Sequence, residues 1–169
     1  VPAATTFLHV RASWQYFPKG VIIKKAKSLD YKIKLDTNGT HPQVIKDLLK
    51  ENLLDYIAMD IKASPKKYSK VVGKMVDMKN IYESIEILKN SGIKYEFRTT
   101  YLPMLDTSDI KEIATTMVKK NSKYFLQQFR NQITNDVAYQ GLIPHQKDYI
   151  LNTAGTIQQS IGMCSVRGI

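Results

Sequence analysis

Asp60 and Lys62 stand two residues apart at the end of DYIAMDIK (residues 55–62), a stretch that is otherwise apolar. Side chains in a strand alternate with period two, so this spacing turns a carboxylate and an ammonium to one side. Burying both charges costs several kcal/mol unless a partner or a ligand compensates them. Three further positions carry similar chemistry: Asn38 in DTNG, Arg98 in FRTT and Gln128 in LQQFR. A carboxylate such as Asp60 can accept ribose hydroxyls. Lys62 and Arg98 can hold a carboxylate, Arg98 bidentately. Asn38 offers both a donor and an acceptor, and Gly39 lets the backbone come close. The set suits a small, polar, partly anionic ligand. A second reading stands beside it, in which Asp60 pairs with Lys62 or Arg98 in a structural ion cluster.

The elements that must position these residues alternate in type. Strand-like runs are expected over 31–36 (YKIKLD), 55–62, 94–102 (KYEFRTTYL), 122–129 and 165–169. Helices are expected over 42–52, 66–72, 78–90, 106–120 and 145–161. Pro42 opens one of them at the first turn, and Ser64-Pro65 reads as a cap and first-turn pair for the next. Ile81, Ile85 and Leu88 form the stripe of the 78–90 helix, with Gly92 as its stop. Asp106 or Ser108 caps the helix that follows. Repeated βα units give a parallel sheet with right-handed crossovers and helices outside. Such sheets place ligands at the carboxyl ends of their strands. Four successive strands here end in polar or charged residues: 36–39, 60–62, 98–100 and 127–130.

The 169 residues suffice for one domain, read as a single partial-barrel domain over 1–169. No apolar run approaches the roughly 20 residues that cross a bilayer, and the N-terminus makes a poor signal peptide. The chain has one cysteine, Cys164, which rules out an intrachain disulfide and fits a cytoplasmic setting. Its expected role is a small apolar filler. The formal net charge is +10, which favours anionic partners, although the lysines are scattered as on a solvated surface. His9, His41 and His145 show no metal-ligand spacing. Neither GxGxxG nor GxxxxGK[ST] occurs. Trp14, Tyr16 and Phe17 cluster near the start, where covering a sheet edge or stacking on a base is expected.

With these residues in place, the segments KIKLDTNGT, LLDYIAMDIKAS, SIEILKNSGIKYEFRTT and YFLQQFR resemble a known family. Together they are similar to the archaeal- and bacterial-type anaerobic ribonucleoside-triphosphate reductase activating proteins. Those are radical S-adenosylmethionine (SAM) enzymes that activate glycyl-radical enzymes. The resemblance covers about 22 to 130, with a weaker echo in the terminal VRG. It implies an α/β fold, a partial (β/α) barrel of radical SAM type with a parallel sheet and outer helices. It implies reductive cleavage of SAM at a [4Fe–4S] cluster to generate a glycyl radical on anaerobic ribonucleotide reductase, with an electron donor protein as a further partner. By the same resemblance Asn38 lies near SAM, Asp60 and Lys62 contact its ribose and amino-acid portion, Arg98 is a SAM-contacting basic residue, and Gln128 is a rim residue of the last barrel strand.

The family's CxxxCxxC and GGEP elements are absent, and ASWQYFPKG stands where the latter is due. The expected sheet therefore lacks its N-terminal strand, and 1–20 is an atypical or displaced segment. A truncated fragment, a differing or mis-assigned first segment and a degenerate homologue all fit this departure. One cysteine cannot supply the thiolates of a cluster, so no cluster ligand and no catalytic residue is assigned. The competing functional reading is a non-catalytic basic module for an acidic protein or nucleic acid. A third is a structural barrel fragment that dimerises through an open sheet edge.

Overall fold

The computed structural model describes residues 7–11, 21–133 and 137–169; Trp14, Tyr16 and Phe17 lie outside the described residues. In chain order the elements are β1 (Phe7–Arg11), α1 (Val21–Lys27), β2 (Lys32–Thr37), α2 (Pro42–Lys50), β3 (Tyr56–Asp60), α3 (Tyr68–Val72), α4 (Met78–Asn90), β4 (Lys94–Tyr101), α5 (Thr107–Glu112), β5 (Tyr124–Gln128), α6 (Val137–Gln140), α7 (Lys147–Ile161) and β6 (Cys164–Arg167). The fold is α/β, with the six strands ordered β1-β2-β3-β4-β5-β6 in the sheet. β1 pairs with β2, β2 with β3, β4 with β5 and β5 with β6, all parallel. This is the expected βα architecture, and none of the described helices is long and apolar enough to cross a membrane. The chain divides into two compact units. One holds the described residues up to Asp60 with Asp77–Tyr95; the other holds Ile61–Val76 and the described residues from Glu96 on.

In the first unit β2 alternates as its sequence dictates: Ile33, Leu35 and Thr37 are buried, and Lys32 is exposed. Ile57, Ala58 and Met59 of β3 are all fully buried, as in a strand covered on both faces. Ile45 and Leu48 of α2, and Ile81, Ile85 and Leu88 of α4, complete this core at helical spacing. Pro42 occupies the first turn of α2, and Asp77 caps α4 by accepting from the Lys79 N–H. Gly92, just past α4, has φ +72°. The amino end of the unit is fixed by Asp55, whose Oδ2 accepts from Lys27 Nζ at 2.6 Å and from the Ile33 N–H at 2.7 Å. Burial acts to raise the Asp55 pKa, but these donors outweigh it and hold the carboxyl below its ordinary value.

One expectation is corrected here. The sequence reading places no strand before residue 31, yet Phe7–Arg11 forms β1 and pairs in register with Lys32–Asp36. The edge of β2 is therefore occupied. Five residues, of which Leu8 is exposed and Val10 buried, are too few to show a period-two signal.

In the second unit Phe97, Thr99 and Tyr101 of β4 are buried, and so are Tyr124 and Leu126 of β5. Ile150, Ala154, Ile157 and Ile161 give α7 its buried stripe. Gly155 sits in open space within that helix, so no close contact requires a glycine there. The helix expected over 106–120 is real but changes pitch: α5 gives way to a π-helical stretch, Ile113–Val118. Asp106 is its N-cap, in a capping box with Asp109. β6 is anchored by Arg167, which pairs bidentately with Glu96 at 2.8 and 3.0 Å and lies over the Phe125 ring. The expected pairing of Ser64 with α3 is a second correction. The helix starts at Tyr68 with Lys67 at the cap position and no side-chain cap, because the Ser64 hydroxyl is engaged elsewhere.

Candidate functional site

The first unit carries two of the candidate residues. Thr37 and Met59 are partners in the register of β2 and β3, so Asn38 and Asp60 each stand one residue beyond a paired position. Asn38 is exposed on a side-chain-closed turn: its Oδ1 accepts from the Thr40 N–H at 3.1 Å and from Thr40 Oγ1 at 2.8 Å. With that oxygen engaged, the amide nitrogen is the end suited to serve a ligand, as a donor. Gly39 follows at φ +75°, and an added Cβ would sit 2.1 Å from Met59 Cε. Its N–H donates to Thr37 Oγ1 and its carbonyl accepts from Ser84 Oγ of α4. The turn thus needs glycine for both backbone conformation and close packing. Asp60, the last residue of β3, is partly buried. Nearby on β2, Asp36 Oδ2 lies 3.4 Å from His9 Nδ1.

The second unit carries the other three. β3 stops at Asp60, so Lys62 belongs to the connection after the strand rather than to its end, as the sequence reading had it. That connection is tied to β4: the Ile61 N–H donates to the Arg98 carbonyl at 2.8 Å, and Thr99 Oγ1 donates to the Ile61 carbonyl at 2.8 Å. Tyr124 Oη in turn donates to Thr99. The structure therefore brings the backbones at Lys62 and Arg98 together. Both side chains are partly buried, Arg98 from mid-strand on β4. Gln128 pairs in register with Tyr101, three residues beyond Arg98. Its Nε2 donates to the carbonyls of Phe129 and His145, so this amide also closes the chain's own loop.

A [4Fe–4S] cluster does not fit the residues of this chain. It needs three or four thiolates, and the sequence has one cysteine. Cys164 is buried in β6, where burial pushes its thiol up to about 12, and it behaves as the apolar filler expected of it. Among the described residues no group of three His, Cys, Asp or Glu side chains could hold a metal ion. SAM is different. Within the second unit, Lys62 and Arg98 are an ammonium and a guanidinium, the groups whose chemistry suits the carboxylate of a zwitterionic amino acid.

Residues 15–117 match the sequence family described as the Radical SAM superfamily. The chain belongs to the radical SAM superfamily. It is 38% identical over 141 residues to a Methanocaldococcus jannaschii protein provisionally named a glycyl-radical enzyme activating enzyme; the match covers 80% of this chain and 58% of that protein. This chain thus spans little more than half the length of that relative. Its fold is similar to the crystal structure of a domain of pyruvate-formate lyase-activating enzyme from Bacteroides vulgatus. There the TM-score is 0.67 at 11% identity, covering 87% of this chain and 88% of that one. Membership of the superfamily favours a SAM-related role over a basic non-catalytic module.

Sequence reasoning missed Ser64, Thr99 and Asp109. All three are buried polar residues; Ser64 bonds to Asp109 across 45 positions of sequence and Thr99 to Ile61 across 38. Only the D-x-x-D spacing of Asp106 and Asp109 gave a local signal, and it points to a helix cap.

Proposed function

We propose that this chain is the SAM-binding part of a radical SAM activating enzyme whose target is a glycyl-radical enzyme, in particular an anaerobic ribonucleotide reductase. The likeness to the M. jannaschii protein over 141 residues carries this reading. In it Asp60 accepts the ribose hydroxyls, Lys62 and Arg98 hold the amino-acid portion, Asn38 donates from its amide nitrogen, and Gln128 lines the rim. Bound SAM brings an adenosyl group activated by its sulfonium. What this chain's residues do is bind and orient that molecule; the reductive step is assigned to none of them, since the thiolates it requires are not theirs. An electron donor protein and a cytoplasmic setting belong to the same proposal.

Titration calorimetry with SAM tests the site. Wild type binds, and Asp60→Ala and Lys62→Ala bind more weakly, each by about 1.5–3 kcal/mol, the range of a hydrogen bond to a charged group. Equal binding by all three removes the site assignment. Titration with an anaerobic ribonucleotide reductase tests the partner: saturable association supports the choice of target, and its absence removes it.

A further inference from the structure

Asp109 stands at the start of α5 and is only 5% exposed, yet its carboxylate is surrounded by donors. Oδ1 accepts from Ser64 Oγ at 2.9 Å; Oδ2 accepts from Lys67 Nζ at 2.6 Å and from the Asp106 N–H at 2.9 Å. One of these bonds caps its own helix. The other two reach the connection after β3, the stretch that carries Lys62. Ser64 is fully buried, and its carbonyl accepts from the Lys67 N–H at 3.0 Å. Lys67 also donates to the Met104 carbonyl at 3.3 Å. At the other end Ile61 is bonded through both backbone groups to β4, and the Lys62 N–H meets Tyr68 Oη at 3.4 Å.

Residues 61–68 are thus pinned on two sides, and Lys62 lies between the pins. Lys67 is about a third exposed, so its ion pair with Asp109 adds little to stability. What it does well is impose one geometry, because each oxygen has a donor only in that arrangement. A connection at the carboxyl end of a parallel strand is where such a constraint serves a ligand.

We propose that Asp109 is a positioning residue: through Ser64 and Lys67 it fixes the connection that presents Lys62 to the amino-acid portion of SAM. The inference rests on the SAM-binding role of Lys62 proposed above. Asp109 itself touches no ligand; it acts through the backbone it holds.

Calorimetry on the full chain with two ligands separates this role from plain structural support. SAM carries the amino-acid portion, and 5′-methylthioadenosine lacks it. Asp109→Ala and Ser64→Ala weaken SAM binding, on the order of tenfold for Asp109→Ala and less for Ser64→Ala. Binding of 5′-methylthioadenosine stays within about twofold of wild type. Asp109→Asn, which keeps an acceptor for Ser64, recovers part of the loss. Equal weakening of both ligands means general loosening and overturns the positioning role. Unchanged SAM binding in both variants, with Lys62→Ala weakened, overturns it while leaving the Lys62 assignment standing. If Lys62→Ala binds SAM as wild type does, the Lys62 assignment fails and the positioning role fails with it. Thermal unfolding checks that each variant is folded at the titration temperature; should Asp109→Ala not fold, Ser64→Ala decides, because it removes one hydroxyl alone.

Discussion

The turn after β2 and the connection after β3 both carry a candidate ligand contact past the end of a parallel strand, but they are held by different means. Asn38 rides on a turn whose shape comes from backbone: a positive φ at Gly39, close approach to Met59, and a side chain closing on its own neighbour. Lys62 rides on a connection whose shape comes from distant side chains, Asp109 and Thr99 above all. The turn also takes one distant donor, Ser84 Oγ on the Gly39 carbonyl, but its conformation is set within 37–40 by the glycine φ and the Asn38 side chain. A connection held by the buried Ser64–Asp109 bond depends on a second element staying in place. The comparison teaches that two segments following parallel strands can be held by different means and so differ in how they respond to substitution.

Four perturbations break or sharpen that contrast, in falling order of effect. Asp109→Ala removes three accepted hydrogen bonds and leaves a buried serine hydroxyl without its acceptor. Through the unpaired serine and the lost capping box it should lower stability by about 3 kcal/mol in urea unfolding, a loss below about 1 kcal/mol arguing against this anchoring. Gly39→Ala forces an alanine into a left-handed conformation and against the fully buried Met59 side chain. The expected cost is about 2 kcal/mol by the same measurement, lower than for Asp109→Ala because the clash falls on the flexible end of a methionine. Asn38→Ala opens only the local turn and should cost about 0.5–1 kcal/mol, without altering urea sensitivity elsewhere.

The smallest effect is electrostatic. The Ser108 hydroxyl, then the Asp109 N–H and Lys67, hold the Asp106 carboxyl below its ordinary value against a small opposing effect of burial. Because the folded pKa is the depressed one, the stability from this group is present above the unfolded value near 3.8 and lost as pH falls through the folded one. Asp106→Asn keeps a capping side chain but not the charge. Its stability should approach that of wild type as pH drops below about 4, and differ slightly above it. A difference that widens at low pH would contradict the assignment.

Much of this architecture can be read from the residues. YKIKLD, KYEFRTTYL and the Ile81–Ile85–Leu88 stripe declare their periods, and β2, β4 and α4 fall within two residues of expectation. β1 was hidden because FLHVR is short and only weakly patterned. The π-helical stretch at Ile113–Val118 was hidden because the apolar spacing of ATTMV reads equally well as ordinary helix. The candidate side chains were legible through their unusual place, charges where a core strand would carry valine. Their supports were not. Ser64 reads locally as a helix cap, and nothing in the sequence tells that its hydroxyl turns to a carboxylate 45 residues away. Local chemistry marked the candidates; the tertiary bonds that hold their connections leave no periodic trace.

The most direct measurement is SAM calorimetry on wild type beside Asp60→Ala and Lys62→Ala. The account predicts saturable binding of one SAM per chain and a loss of tenfold or more in each variant, about 1.4 kcal/mol at the least. Identical isotherms for the three proteins, or no binding by wild type, would contradict it.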